Sequence, residues 1–273
     1  MPLSNASSTF RPRLSVLYRD EALVVVDKPA GLIVHRGWAQ DEVTALGLVR
    51  DMLGQWVYPA HRLDRGTSGA LVFALSSETA GALGEAFATE LVHKRYLALV
   101  RGLAPDAALV DHPIAKEPGK PKLPAQTRVA RLCNRPVVDE LTGVSREYSL
   151  VEAEPRTGRP HQVRRHLKHL NHPIIGDVRY GKSEHNRLFQ RRFGLERLAL
   201  HAERISFPHP SSGARLVVSA PLPADLLSVF EQMDLPQGWS SQAPSDSTLT
   251  PAEAALQELP YVWPSQPQTG RKS

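Results

Sequence analysis

The alternation of apolar and polar positions divides the chain into short strands and a few helices. Leu14 to Val26 reads as strand, and within it Leu23, Val24, Val25 and Val26 form an unbroken apolar run of the kind buried on both faces of a sheet. Asp27-Lys28-Pro29-Ala30-Gly31 breaks that run, Leu32-Ile33-Val34 resumes as a short strand, and Thr44 to Leu53 suits a helix. Ala70 to Leu75 is again strand-like. Ala80, Leu83, Phe87 and Leu91 then recur at helical spacing across Thr79 to Leu91, with Thr79 near the start. Arg95 to Val100, Tyr148 to Ala153, Leu198 to Phe207 and Leu216 to Ala220 supply further strands. Pro160 to Leu170 is a predicted helix, because Pro160 suits a first turn and Val163, Leu167 and Leu170 form a buried stripe.

Two regions lack this order. Between Gly102 and Arg146 prolines and charges loosen the pattern, which predicts an irregular excursion that touches the ligand. From Asp234 onward six prolines and many serines predict a tail with little fixed structure apart from a short helix near Ala252 to Leu259. The domain expectation is therefore a flexible leader over 1–13, a catalytic domain over 14–233 and a Pro/Ser-rich tail over 234–273. Periodicity by itself gives mixed α and β.

Composition narrows the classes. At 273 residues with 41% apolar side chains, the chain can bury a sizeable core without staples, and a single cysteine, Cys133, excludes an internal disulfide framework and a cysteine-rich zinc site. No run approaches a membrane span and the first thirteen residues carry no apolar signal core, so a soluble, cytoplasmic protein is expected. The net charge of +5 would say little if it were evenly spread, but it is not. Between Arg156 and Arg204 stand twelve Lys/Arg against four acids, with six of the eleven histidines, and a folded surface that basic suits a polyanion.

The most informative stretch is His61-Arg62-Leu63-Asp64-Arg65-Gly66-Thr67-Ser68-Gly69. It holds one carboxylate between two guanidinium-bearing residues in a turn-forming frame, between a helix and a strand. Nearby cations favour the charged form of an aspartate, so Asp64 is a candidate nucleophile or base rather than a proton donor. Taken alone, the same residues also suit a turn cap with solvated arginines. Gly66 and Gly69 are expected to let the backbone approach a ligand closely.

In order along the chain, Asp27-Lys28-Pro29-Ala30-Gly31-Leu32-Ile33-Val34-His35, the His61 to Gly69 motif, Lys94-Arg95-Tyr96-Leu97-Ala98-Leu99-Val100, Thr157-Gly158-Arg159-Pro160-His161-Gln162-Val163-Arg164, His172-Pro173-Ile174-Ile175-Gly176-Asp177 and Leu200-His201-Ala202 form six blocks. Together they resemble the RluA-type pseudouridine synthases, with Arg165 to Asp177 and His185-Asn186-Arg187 most similar to the family's bacterial tRNA-acting branch. The resemblance implies an α+β pseudouridine synthase fold, a mixed and mostly antiparallel curved sheet flanked by helices. It implies an isomerase that turns a uridine of RNA, tRNA first and ribosomal RNA as the alternative, into its C5-glycoside without cofactor or metal. Asp64, Tyr96 and Arg164 fall on the family's catalytic aspartate, active-site tyrosine and basic partner. Attack at C1′, attack at C6 and assisted loss of the base all stay open for the aspartate.

A stacked uridine has to leave the helix to reach a side chain, and Arg62 is the candidate to fill the gap or to hold phosphate. Arg65, His61, Thr67, Arg159, His161, Gln162, Arg165 and Lys168 complete the expected RNA contacts, with RNA as partner and the protein as a monomer. Many relatives carry a small RNA-binding module before the catalytic domain, and the short leader is expected to leave no room for one. Zinc on His161, His166, His169 and His172 is disfavoured, because no cysteine lies near, Arg165 and Lys168 repel a cation, and helical phase spreads the rings over more than one face. A non-catalytic RNA binder and a hydrolytic N-glycosidase are the rival readings.

Overall fold

The computed structural model describes residues 14–36 and 41–236. The expected leader over 1–13 and the short helix near 252–259 lie outside the described residues. The elements run β1 (Ser15–Arg19), β2 (Leu23–Lys28), α1 (Ala45–Leu53), β3 (Tyr58–Pro59), β4 (Ser68–Ala74), α2 (Ser77–Ala88) and β5 (His93–Arg101). They continue with β6 (Ala107–Asp111), β7 (Ile114–Ala115), β8 (Lys122–Leu123), β9 (Gln126–Val138), β10 (Ser145–Pro155), α3 (Gln162–His169), α4 (Ser183–Phe193), β11 (Leu200–Pro208), β12 (Arg215–Ser219) and α5 (Ala224–Gln232).

Ten strands form one mixed sheet in the order β1-β2-β4-β11-β5-β10-β9-β6, with β12 added to β11 and β3 to β4, while β7 and β8 pair separately. Every strand pair is antiparallel except β4 with β11. The apolar run of β2 is explained by burial on both sides. Val24 and Val26 enter the main core, beneath α1, α3, α4 and α5, and Leu23 and Val25 enter a smaller core under α2. β4 divides in the same way, with Leu71 and Phe73 on the first side and Ala70, Val72 and Ala74 on the second.

The β4–β11 pair positions the site, because the loop before β4 holds the Asp64 motif and the two strands start side by side at His201–Ser68 and Ala202–Gly69. Gly69 has φ +116°, and a Cβ there would stand 2.2 Å from the Ala202 carbonyl oxygen, so only glycine lets these backbones meet. Its freedom serves strand packing, not the ligand approach expected from sequence. Ser68 Oγ is hydrogen-bonded to His201 Nδ1 at 2.9 Å and accepts from Arg197 Nη2 at 2.8 Å, tying the motif loop to the segment entering β11.

The structure departs from the expectations at four places. Leu14 to Val26 is a hairpin, not one strand: Asp20 Oδ1 accepts the Ala22 and Leu23 N–H groups at 2.8 and 2.9 Å and turns the chain. The short strand over Leu32-Ile33-Val34 reduces to one bridge, Ile33 with Thr44. The excursion over 102–146 contains the 13-residue strand β9, paired along its length with β10. Of the expected tail, Leu235 is buried in the main core and donates its N–H to Phe230 O at 2.8 Å.

Candidate active site

Asp64 lies in the tight loop between β3 and β4, where the Thr67 N–H donates to the Asp64 carbonyl at 3.1 Å and Leu63 anchors the turn in the core. Beneath the loop, buried Lys28 donates from Nζ to the carbonyls of Pro29 at 2.8 Å, Leu32 at 2.7 Å and Arg65 at 3.3 Å. Burial pushes its ammonium down to about 7, the Arg197 charge adds to this, and the Asp64 and Asp27 charges oppose it. The lysine thus joins the first block and the motif block of the sequence into one rigid support.

Arg164, on the first turn of α3, reaches Asp64 Oδ2 from Nη1 at 2.9 Å. Its other edge is held by Asp177, with Nε to Oδ2 at 2.7 Å and Nη2 to Oδ1 at 2.9 Å, a bidentate fork that fixes the guanidinium plane. Burial opposes the charge on Asp177, but the hydrogen bonds from Arg164 and from the Tyr180 and Arg179 N–H groups outweigh it and hold the carboxyl below its usual range. The Arg164 guanidinium also lies over the Tyr180 ring, 5.1 Å from its centroid. Asp64 thus faces a cation whose position is set by a wholly buried second carboxylate.

His161 completes this wall. It adopts φ +54° at the start of α3, its Nδ1 is hydrogen-bonded to the Tyr180 hydroxyl at 3.0 Å, and its Nε2 stands 3.9 Å from Asp64 Oδ1. Burial pulls its basicity below the ordinary histidine value, and the Asp64 charge works the other way. Tyr96, on β5, faces the same cavity. Burial and then the nearby Asp64 charge raise its hydroxyl well above the usual tyrosine value, so it stays protonated.

These groups line a cavity of about 410 Å³ with Ala60, Phe87, Lys94, Arg156 to Pro160 and Leu200 around them. Asp64, Tyr96 and Arg164, predicted from separate blocks, therefore meet. Arg62 is exposed at the rim, and its side chain takes part in no hydrogen bond or ion pair among the described residues. Arg65 forms an exposed bidentate pair with Asp41 at 2.6 and 2.7 Å. Arg159 Nε donates to Pro124 O at 3.1 Å, Arg165 Nη1 to Ala115 O at 2.8 Å, and Lys168 Nζ lies 5.9 Å from the Tyr180 ring centroid.

Three residues expected to contact RNA, Thr67, Gln162 and His61, also line the cavity, and their polar atoms are engaged with the protein's own groups. Thr67 is 2% exposed and closes the Asp64 turn, and Gln162, 4% exposed, bonds Thr157 Oγ1, the Arg159 N–H, Gln126 O and Thr127 Oγ1. His61 accepts the Val72 N–H on Nε2, and burial, aided by the Lys94 charge, pushes it down to about 3, leaving a neutral ring. Sequence reasoning gave no role to Asp177, Tyr180, Lys28 or Arg197. Asp177 stood in a recognised block, and an acid just after a Gly was the available signal. Among the described residues no group of three or more His, Cys, Asp or Glu is placed to hold a metal ion.

Residues 22–169 match the family model described as RNA pseudouridylate synthase, a span holding Asp64, Tyr96 and Arg164. The chain is 38% identical over 264 residues to tRNA pseudouridine synthase C of Salmonella typhi, covering 91% of this chain and 99% of that protein. It is 44% identical over 222 residues to tRNA pseudouridine synthase C of Vibrio cholerae, covering 77% and 91%. The solved structure of human RNA pseudouridylate synthase domain containing 4 superposes with a TM-score of 0.65 at 27% identity, covering 82% of this chain and 94% of that one. With these matches and its geometry, the chain belongs to the RNA pseudouridylate synthase family and is an RNA pseudouridine synthase, an isomerase.

Proposed function

We propose that the chain isomerises a uridine of tRNA, with Asp64 as the reacting carboxylate and Arg164 and Tyr96 as its partners. The carrying observation is the Asp64 carboxyl group at the cavity, oriented by Arg164, which Asp177 in turn holds fixed. In the reaction the N1–C1′ bond breaks, the uracil turns, a C5–C1′ bond forms, the C5 proton leaves and N1 gains a proton. No electron acceptor or added atom is needed, so a side-chain carboxylate suffices. Attack by Asp64 on C1′ or on C6, or its support of the departing base, splits one hard step into easier ones.

Arg164 keeps the carboxylate aimed, at little reorganisation cost, because its guanidinium is already locked by Asp177. The protonated Tyr96 offers a ring face to the uracil and a neutral hydroxyl rather than a phenolate base, so the proton leaving C5 passes to water, where the released label is read. A uridine reaches this cavity only when everted from its stack, which costs a few kcal/mol. Unpaired Arg62 at the rim is the group free to fill the vacated position or to grip phosphate. The tRNA assignment is supported by the tRNA pseudouridine synthase C relatives, whose similarity spans nearly the whole chain.

Transfer RNA transcribed with tritium at C5 of uridine tests the reading directly. Isomerisation releases tritium to water, an N-glycosidase frees labelled uracil, and a passive binder does neither. The expected result is stoichiometric tritium release without free uracil. Labelled uracil, or binding without release, would overturn it.

A further inference from the structure

Beside the catalytic cavity lies a second one of about 230 Å³, lined by Glu90, Val92, His93, Lys94, Arg128, Glu154, Pro155 and Arg156. Val92, Lys94, Pro155 and Arg156 line both, so the second cavity, a groove at one end of the sheet, adjoins the first along these four residues. Its walls are one end of the sheet, the start of β5 at His93, the start of β9 near Arg128 and the end of β10 at Glu154, and the β11–β12 pair lies beside His93 at its edge. Register places Ser206 opposite His93 and Glu154 opposite Arg128, and Arg215 Nη2 donates to Ser206 Oγ at 2.8 Å.

The charge of this groove is unusual for the molecule. Arg128, Arg156 and Arg215 take part in no ion pair among the described residues, whereas most of the other described arginines are engaged with carboxylates or carbonyls. Lys94 Nζ donates only to the Thr157 carbonyl, at 3.1 Å. Burial and then the charges of Arg215, Arg156, Arg128 and Lys94 lower the basicity of His93, which marks the cations as converging on one place. Glu90 and Glu154 are the only acids in the lining, against four cationic side chains counting Arg215 at the edge.

We infer that this groove is a phosphate-binding track, in which Arg128, Arg156 and Arg215, with Lys94 at the junction, hold the RNA backbone next to the everted nucleotide. The inference rests on the reading of the chain as a uridine isomerase of RNA. An everted base draws its flanking phosphates to the cavity mouth. Arginine is suited to those oxygens because its planar fork can take two of them at once. The track would fix strand polarity and register without reading bases.

The experiment compares the full chain with Arg128→Gln/Arg215→Gln and with the charge-preserving Arg128→Lys/Arg215→Lys. Both residues lie outside the catalytic cavity. Tritium release from C5-labelled tRNA transcript gives KM and kcat, and fluorescence anisotropy gives RNA affinity from 50 to 300 mM salt. The Gln variant is expected to raise KM about tenfold or more, keep kcat within about twofold, and flatten the log affinity against log salt slope by roughly 1.4–1.8, the value for two lost phosphate contacts. The Lys variant is expected to keep the slope. Unchanged KM and slope in the Gln variant, with wild-type release intact, would overturn the track while leaving the isomerase reading in place. Absent wild-type release alongside a flattened slope would overturn the isomerase reading and keep the groove as a polyanion site.

Discussion

The arginines locked into the scaffold around the Asp64 loop and those along the cavity rim and adjoining groove share one side chain and live in opposite states. Arg164 is bonded to two carboxylates and lies over an aromatic ring, and Arg197 binds Ser68, Leu200 O and, at 3.4 Å, Asp225. Arg62, Arg128 and Arg156 have no ion-pair partner among the described residues. The difference follows from what each must meet. A reacting carboxylate needs a fixed counter-charge, whereas a flexible polyanion is captured by cations that have no closer acceptor to leave. Committed guanidiniums therefore mark where geometry is set, and uncommitted ones mark where substrate arrives.

The strongest way to break this comparison is Arg164→Met. It removes the shared cation and strands the Asp177 carboxylate, whose side chain has no exposed surface. Leaving a buried charge uncompensated is expected to cost about 3–5 kcal/mol in stability, with tritium release down by roughly a thousandfold. Urea unfolding and the release assay check both, and a stable, active variant would show that the fork is dispensable.

Asp177→Asn is a gentler cut, because the amide can keep a contact to Arg164 while losing the bidentate charge. A fall in kcat of about 10–100-fold with KM nearly unchanged is expected, since Asp177 acts only through the orientation of Arg164. A change in KM alone would place Asp177 in RNA binding.

The histidines give an effect of another kind, read in acid stability. His166 and His201, each 0% exposed, are pushed by burial down to about 4, and His61 to about 3. Their folded-state values lie below the unfolded one near 6.5, so the unfolded chain binds more protons as pH falls. The stability they contribute is full above about 6.5 and is lost as pH drops from there toward 4, by up to about 1.4 kcal/mol per pH unit for each ring. Urea midpoints at pH 7.5 and 5 should fall together with that slope, and a flat profile would contradict it.

How far the sequence disclosed all this depends on the kind of signal. The β2 run and the α3 stripe were legible because burial on both faces, or on one stripe, leaves an unmistakable pattern. β9 was not, because a register shift between Leu150 and Val151 opposite its middle interrupts the alternation there, and half of its residues are only partly buried. In the site, Asp64, Tyr96 and Arg164 were legible through the blocks that carry them. Asp177 was missed as a partner because its importance lies in meeting Arg164 across 13 residues and a turn, which no local spacing encodes. The stapling role of Thr67 and Gln162 was not legible, because a polar side chain in a motif looks the same whether it faces a ligand or ties two loops together.

The central claim is that the Asp64 oxygen is the reacting group. Asp64→Asn keeps the shape and removes only the charge, so tritium release from C5-labelled tRNA, measured beside RNA affinity, tests it most directly. The account predicts release reduced by more than about a thousandfold with affinity kept within a few-fold. Release within tenfold of the unaltered protein would contradict it.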